Sequence, residues 1–447
     1  MANKVSTKPP SGMRDFLPSD LARRHHVVGI VREIYQRYGF VPLETPSIEN
    51  LEILTGKYGE DEKLIYRLLH RGETLKKVLG GGAEVSAGSL SDQALRYDLT
   101  VPLARVVAQY GDLPKYFKRY QIQPVWRADR PGKGRFREFY QCDVDITGTT
   151  SLVAEAEVLA AGCEVLTRLG FENFEFHINH RALLRSLIRS SGIDVSQEGT
   201  ALQAVDKLDK IGEGGVLEEL EQRGITADAG RRLLGLIAED ATLESLAANL
   251  DDEEGQKAIA DLTELVGLLE STPAAGRARF APQLARGLGY YTGAIFEARV
   301  PDLGSSIAGG GRYDELVGMF GKQTVPAVGL SLGLERILVV MNERGMFPAL
   351  QQGPDVMVCW RGVERAAVLK VAHALRGQGL RVEVYPEPTK LGKQVQYADA
   401  PGVKAPWVAV LGEREIAEGT AALKHLLSGE QSTVAVSEAG AVIRAKA

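Results

Sequence analysis

The chain has 447 residues, a formal net charge of −5, 44% hydrophobic residues and 25% charged residues. That length exceeds what one core serves and indicates two or three domains of an ordinary globular protein. No uninterrupted apolar run of about 18 residues and no charged-then-apolar leader is read in the sequence, which argues against membrane insertion or secretion and makes the cytoplasm the expected location.

Taken in chain order, Val27, Val28, Ile30, Val31, Ile34 and Tyr35 recur at helical spacing between Leu21 and Tyr38, and Gly39 stops the helix. FVPLETP then reads as a strand carrying proline, a residue tolerated at an edge or an interface. Between Leu75 and Asp92 the sequence GGGAEVSAGSLSD lacks the lysine and hydroxyl of a phosphate-binding loop and reads as a mobile surface loop near a ligand pocket.

The most informative run is KRYQIQPVWRADRPGKGRFREFYQCDVD, Lys118 to Asp145: two strand-like stretches joined by a basic loop. From Lys115 to Arg137 there are eight Lys or Arg against one acid, Asp129, so the positive charge is local in an acidic chain. Strand alternation puts Arg127, Arg135, Phe139, Gln141 and Asp145 on one surface. Guanidinium forks grip phosphate, an aromatic ring stacks on a base, and Gln with Asp fixes a small polar ligand. A solvated basic hairpin is the plainer alternative.

His177 and His180, in HINH, have no partners at metal spacing and read as strand or turn residues. Cys142, Cys163 and Cys359 are far apart without CxxC spacing and read as reduced core residues. From Ser191 to about Thr272, Leu, Ile and Val recur at three- and four-residue spacing, a helical module interrupting its surroundings. After the linker GMFPALQQGPD, the apolar runs VMVCW, RVEVYP and WVAVLGE alternate with helical stretches, which predicts parallel strands with covering helices. This last region holds twelve basic and ten acidic residues, a relative positivity that fits RNA contact.

Three stretches resemble the motifs of class II aminoacyl-tRNA synthetases. GFVPLETPSIE, Gly39 to Glu49, resembles motif 1; the basic hairpin resembles motif 2; AVGLSLGLERIL, Ala327 to Leu338, with Gly333 before Glu335 and Arg336, resembles motif 3. LARGLGYYTGAIFE, Leu284 to Glu297, and AGGGRYDELVGMFG, Ala308 to Gly321, are similar to the stretches particular to histidyl-tRNA synthetases. With YDLTVPLAR, Tyr97 to Arg105, the resemblance runs over nearly the whole chain.

The resemblance implies an α+β catalytic domain built on an antiparallel sheet, with a helical insertion, plus a C-terminal α/β anticodon-binding domain. The implied boundaries are 1–190 and 276–345 for the catalytic core, 191–275 for the insertion, 346–353 for the linker and 354–447 for the anticodon-binding domain. It further implies ATP-dependent attachment of L-histidine to tRNA(His) through an adenylate by a homodimer, with Pro42 or Pro46 between subunits and ATP arriving with Mg²⁺ but no tightly bound protein metal. Glu335 is a candidate Mg²⁺ ligand.

Carried over residue by residue, Arg127 would hold the histidine carboxylate and the α-phosphate, Arg135 the γ-phosphate, and Arg336 the far side of the triphosphate. Phe139 would stack on adenine. Arg286 would add a cation at the α-phosphate, where other class II enzymes use a metal. Asp98, Leu99, Thr100, Gln141 and Asp145 would surround the histidine, with Tyr290 and Tyr291 lining the imidazole pocket and Tyr313 close by. Two positions depart from the pattern: Gly289 stands where the family commonly has Asp, and Asp129 where motif 2 often has Glu. A second reading is a synthetase-like regulatory subunit that binds histidine without charging tRNA; such paralogs generally lack the anticodon-binding domain and lose ATP-site arginines.

Overall fold

The computed structural model describes residues 6–56, 64–80, 85–248, 250–285, 289–301, 303, 306–321 and 323–445. The chain divides into two compact units, 1–15 with 24–346, and 16–23 with 347–447. No helix among the described residues is long and apolar enough to cross a membrane.

The first long helix, Pro18–Arg37, buries Val27, Val31, Ile34 and Tyr35, the stripe its periodicity foretells. Gly39 follows in the left-handed region, at φ 78°, and turns the chain back. The expected strand FVPLETP shrinks to β1 (Val41–Pro42). The chain leaves the sheet there because the carbonyls of Thr45 and Pro46 are taken by the buried Arg96 guanidinium, at 2.6 and 3.1 Å, instead of by a neighbouring strand.

A small antiparallel sheet follows, built from β2 (Ile48–Asn50), β3 (Arg67–Leu68) and β4 (Gln93–Leu95) in the order β2-β4-β3. The Gly/Ser-rich stretch expected as a loop is partly helical. Gly72–Gly80 and Ala87–Leu90 are helices, the second closed by a reciprocal Ser86–Ser89 capping box, while 81–84 lie outside the described residues.

The large sheet comprises β1, β5 (Phe117–Trp126), β6 (Glu138–Thr147), β7 (Glu175–His180), β8 (Ala278–Phe280), β9 (Ala294–Arg299), β10 (Ala308–Arg312) and β11 (Ala327–Gly333). Its order is β1-β5-β6-β11-β10-β9-β7-β8. Every interior pairing is antiparallel; only the outermost pairs, β1 with β5 and β7 with β8, are parallel. The placement of β11 beside β6 matters most, because it sets residues nearly 200 positions apart in sequence on adjoining strands.

Helix Val153–Arg168 packs on the sheet where Gly162 leaves room for Leu330; a Cβ at 162 would lie 2.5 Å from that side chain. Between β7 and β8 the chain is helical, running through Arg181–Ser190, Glu198–Val205, Leu208–Gln222, Ala227–Leu236, Leu243–Ala247 and Glu253–Leu269. Thr226, Thr242 and Asp252 cap three of these helices. His180 ends β7 and caps the helix after it, its Nδ1 accepting from the Ala182 N–H at 3.2 Å. Burial pulls this imidazole down to about 4, which keeps it a neutral acceptor.

In the second unit, β12 (Val356–Trp360), β13 (Val382–Val384) and β14 (Trp407–Leu411) run parallel, as their alternation with helices predicts. An antiparallel hairpin, β15 (Thr420–His425) and β16 (Gln431–Ala435), completes the order β13-β12-β14-β15-β16. Its short, half-polar strands gave no alternation strong enough to announce it. The core is apolar, with Val356, Val358, Leu375, Ala409, Leu411, Leu423 and Ile443 buried.

Candidate active site

Strand register assembles the site. On β6, alternation sends Phe139, Gln141, Asp143 and Asp145 to one face. Opposite them on β5 stand Val125, Gln123, Gln121 and Arg119, and on β11 Gly333, Ser331 and Gly329 pair with Gln141, Asp143 and Asp145. Gly329 is a structural necessity: a Cβ there would fall 1.9 Å from Asp145 Oδ1. Above this face lies a cavity of about 410 Å³, within the roughly 300 to 1,000 Å³ common for small-molecule sites.

The cavity has two chemically distinct ends, separated along β6. Near the hairpin loop it is basic. Arg127, just beyond β5, donates its Nε to the Tyr97 carbonyl at 2.9 Å and sits 5.2 Å from the Phe139 ring centroid. Arg135 also lines the cavity. It belongs to the loop and not to the returning strand as expected, because Gly132 and Arg135 close a tight turn with two 3.0 Å backbone bonds before β6 starts at Glu138. Gly134, at φ 67°, brings this turn onto Arg336, whose Nη1 donates to the Ser306 carbonyl.

Toward the far end of β6 the lining is acidic. Asp145 pairs with the fully buried Arg119 at 2.9 Å and accepts a hydrogen bond from Tyr313. Asp98 accepts from the Tyr290 hydroxyl at 3.4 Å and from the Val101 N–H at 3.2 Å. Gln141 donates to Ser331 Oγ at 2.9 Å, and its carbonyl oxygen is buried without a partner. The rings of Tyr290, Tyr291 and Tyr313 wall this end edge to face, Tyr290 lying 4.9 Å from Tyr291 and 6.0 Å from Tyr313 between centroids. Burial raises the Asp143 and Asp145 carboxyls, Asp143 to about 7, while Arg119 pulls both down.

Of the residues singled out from sequence, Asp98, Thr100, Arg127, Arg135, Phe139, Gln141, Asp145, Tyr290, Tyr291, Tyr313 and Arg336 meet in this one cavity. Leu99 does not line it; its side chain is buried and its carbonyl accepts from Arg119 at 3.3 Å. Arg286 lies outside the described residues. Glu335, the Mg²⁺ candidate, is occupied: it accepts from the Tyr140 N–H at 2.9 Å and pairs with Arg24 at 3.3 Å.

Sequence reading missed Asp143, Arg119 and Ser331. The signal for Asp143 was present, since it continues the two-residue series from Phe139 to Asp145. Arg119 was counted only as part of the basic run.

A cavity with cationic groups at one end and carboxylates at the other is complementary to a ligand of the opposite polarity, anionic at the first end and cationic at the second. On such an antiparallel sheet, this defines the catalytic unit of a class II aminoacyl-tRNA synthetase. A family profile described as histidyl-tRNA synthetase matches residues 12–337, and one described as anticodon binding domain matches 355–446.

The histidine–tRNA ligase of Cytophaga hutchinsonii is 42% identical over 445 residues, covering 96% of this chain and 97% of its own. That of Gloeobacter violaceus is 42% identical over 465 residues, covering 97% of both. The crystal structure of histidyl-tRNA synthetase from Nostoc sp. PCC 7120 superposes with a TM-score of 0.81 at 31% identity, covering 99% of this chain and 100% of that one. The chain belongs to the histidyl-tRNA synthetase family. The match at 355–446 falls on the domain that the regulatory alternative lacks.

Proposed function

We propose that this chain joins L-histidine to tRNA(His) in two steps at the cavity just described, through a histidyl-adenylate. The observation that carries the reading is the register that puts Gly329, Ser331 and Gly333 of motif 3 beside Asp145, Asp143 and Gln141 of motif 2. In the first step the histidine carboxylate attacks the α-phosphate of ATP and pyrophosphate leaves. Two anions must meet, so fixed guanidiniums and in-line positioning supply the acceleration.

Arg127 holds the carboxylate against the α-phosphate, with Arg286 as second cation there. Arg135 reaches the γ-phosphate, Arg336 lies along the far side of the triphosphate, and Phe139 stacks on adenine. At the acidic end, Asp98, Thr100, Gln141 and Asp145 receive the α-ammonium, and Tyr290 and Tyr291 enclose the imidazole. The geometry in favour is the separation of the two ends along β6, which matches the polarity of histidine laid against ATP. ATP enters as its Mg²⁺ complex. Because Glu335 is bound by Arg24 and a backbone N–H, the Mg²⁺ is held chiefly by the phosphates.

In the second step the tRNA ribose hydroxyl attacks the adenylate carbonyl; no side chain need act as nucleophile. Residues 354–447 grip the anticodon arm, and a homodimer forms through the motif 1 region, where Val41 and Ile48 are exposed. ATP–pyrophosphate exchange with each of the twenty amino acids tests the assignment. Exchange with histidine alone is expected; preference for any other amino acid overturns it. A chain ending near Gly353 is expected to keep exchange and lose most charging, once dimer mass and thermal unfolding are shown to be unchanged.

A further inference from the structure

Asp143 has no part in the roles above, yet it stands between Gln141 and Asp145 on the cavity side of β6. It is 2% exposed, and its Oδ1 has no hydrogen-bond partner. The Ser331 hydroxyl reaches the carboxyl from β11, while that same hydroxyl also accepts from Gln141. A buried acceptor left unmade costs about 1 to 3 kcal/mol, more when charged, so the position is expensive unless something completes it.

The charges around it do not balance in the empty site. Arg119 from β5 faces it but is committed to Asp145 at 2.9 Å. Arg96, which follows β4, is within electrostatic reach, but its guanidinium is bound to oxygens of Thr45, Pro46, Gln123 and Pro124. Asp145 on its own strand and Asp98 from the segment before the helix Thr100–Gln109 add negative charge. Tyr313, Tyr35 of the first long helix and Cys142 complete the surroundings, and burial holds all three neutral. Three carboxylates therefore face one guanidinium committed to Asp145 and a second bound to neutral oxygens.

We propose that Asp143 is a further positioning residue of the amino-acid subsite, a neutral carboxylic acid in the empty cavity that ionises when the α-ammonium of histidine enters, so that binding expels a proton. The carboxyl O–H bond breaks, the electron pair stays on oxygen and the proton passes to solvent. The ammonium keeps its three hydrogens and gives Oδ1 the donor it lacks. The inference rests on the reading of this cavity as the histidine subsite, and it adds discrimination. A ligand without a cationic amine cannot supply the charge that ionises Asp143. The carboxyl resting near 7 in the empty site, raised by burial against the pull of Arg119, fits this role.

Calorimetric titration of the full chain with L-histidine, in buffers of differing ionisation enthalpy at pH 6.5 and 8.0, tests it against Asp143→Asn. At pH 6.5 the wild type is expected to release about 0.7 proton more per histidine than the variant, and the excess shrinks at pH 8.0. Its dissociation constant rises about tenfold from pH 8 to pH 6 through this group, on top of a shallower slope from the ligand's own imidazole that the variant retains. Equal proton release by both proteins overturns the role of Asp143. Failure of the wild type to bind histidine at all overturns the reading of the site itself. Thermal unfolding of the variant is measured first; if Asp143→Asn does not fold, Asp143→Ser takes its place in the same comparison.

Discussion

Strands β6 and β12 are both buried and flanked by strands on either side, but with opposite contents. Val356 to Trp360 of β12 are apolar and buried throughout, Val356, Val358 and Trp360 among Val368, Leu375 and Leu423, and Met357 and Cys359 among Ala398, Ala405 and Val408. Along β6, Gln141, Asp143 and Asp145 are buried with polar atoms left unpaired or held only by an ion pair. In the second unit the fully buried Gln394 is instead completed internally: it donates to the Trp360 and Thr389 carbonyls and accepts from the Trp360 N–H, all within 3.0 Å, and the buried atoms left without a partner there, Thr389 Oγ1, Trp407 Nε1 and Thr420 Oγ1, are neutral. What separates the two sheets is charge: the unpartnered buried atoms of the second are neutral, whereas the first buries carboxylate oxygens, at Asp143 and Asp145, without a hydrogen-bond donor.

Substitutions in the two sheets should therefore fail in different ways. Arg119→Met is expected to have the largest effect. It leaves Asp145 and Asp143 without their nearest countercharge, at a cost of about 3 to 5 kcal/mol in stability, read by denaturant unfolding; unchanged stability would mean the carboxylates need no cation. Arg127→Ala should lower histidine-dependent ATP–pyrophosphate exchange by about a hundred- to a thousandfold, the worth of one preorganised charge contact, with unfolding little changed. Near-normal exchange would remove Arg127 from the chemistry.

In the other sheet, Leu423→Ala should destabilise the second unit by about 3 kcal/mol through the cavity it opens, while the Michaelis constants for ATP and histidine in exchange stay as they were. The smallest effect is one of pH. Because the native Asp143 carboxyl sits near 7, above its unfolded value, its contribution to stability is full below about pH 4 and is lost as pH rises toward 7. Asp143→Asn, which mimics the protonated form, should gain in thermal midpoint relative to the ligand-free wild type from pH 5 to pH 8. A constant difference across that range would contradict the shift.

Much of this contrast was legible in the sequence. The period-two series after the basic loop gave the cavity face of β6, and the alternating apolar runs gave the three parallel strands of the second unit. What escaped depends on pairing between distant segments. Arg119 looks like one more cation of a basic run until β6 brings Asp145 opposite it. Arg135 reads as a strand residue until the Gly132 turn shows the strand starting later. The strand expected at FVPLETP is cut short by Arg96, a residue some fifty positions away, and no local pattern contains that information.

Arg96, through its backbone as well as its guanidinium, ties together more than a truncated strand. Its own N–H donates to the Ser47 carbonyl, its carbonyl accepts from the Trp126 N–H, and the Thr45 N–H donates to Gln123, one of the groups its side chain also holds. The motif 1 turn, the end of β5 and the segment leading to Asp98 thus open and close as one cooperative unit. Their amides should exchange with solvent at a common rate. Whatever firms the exposed turn at 41–48 also slows the opening that would carry Asp98 out of the cavity wall.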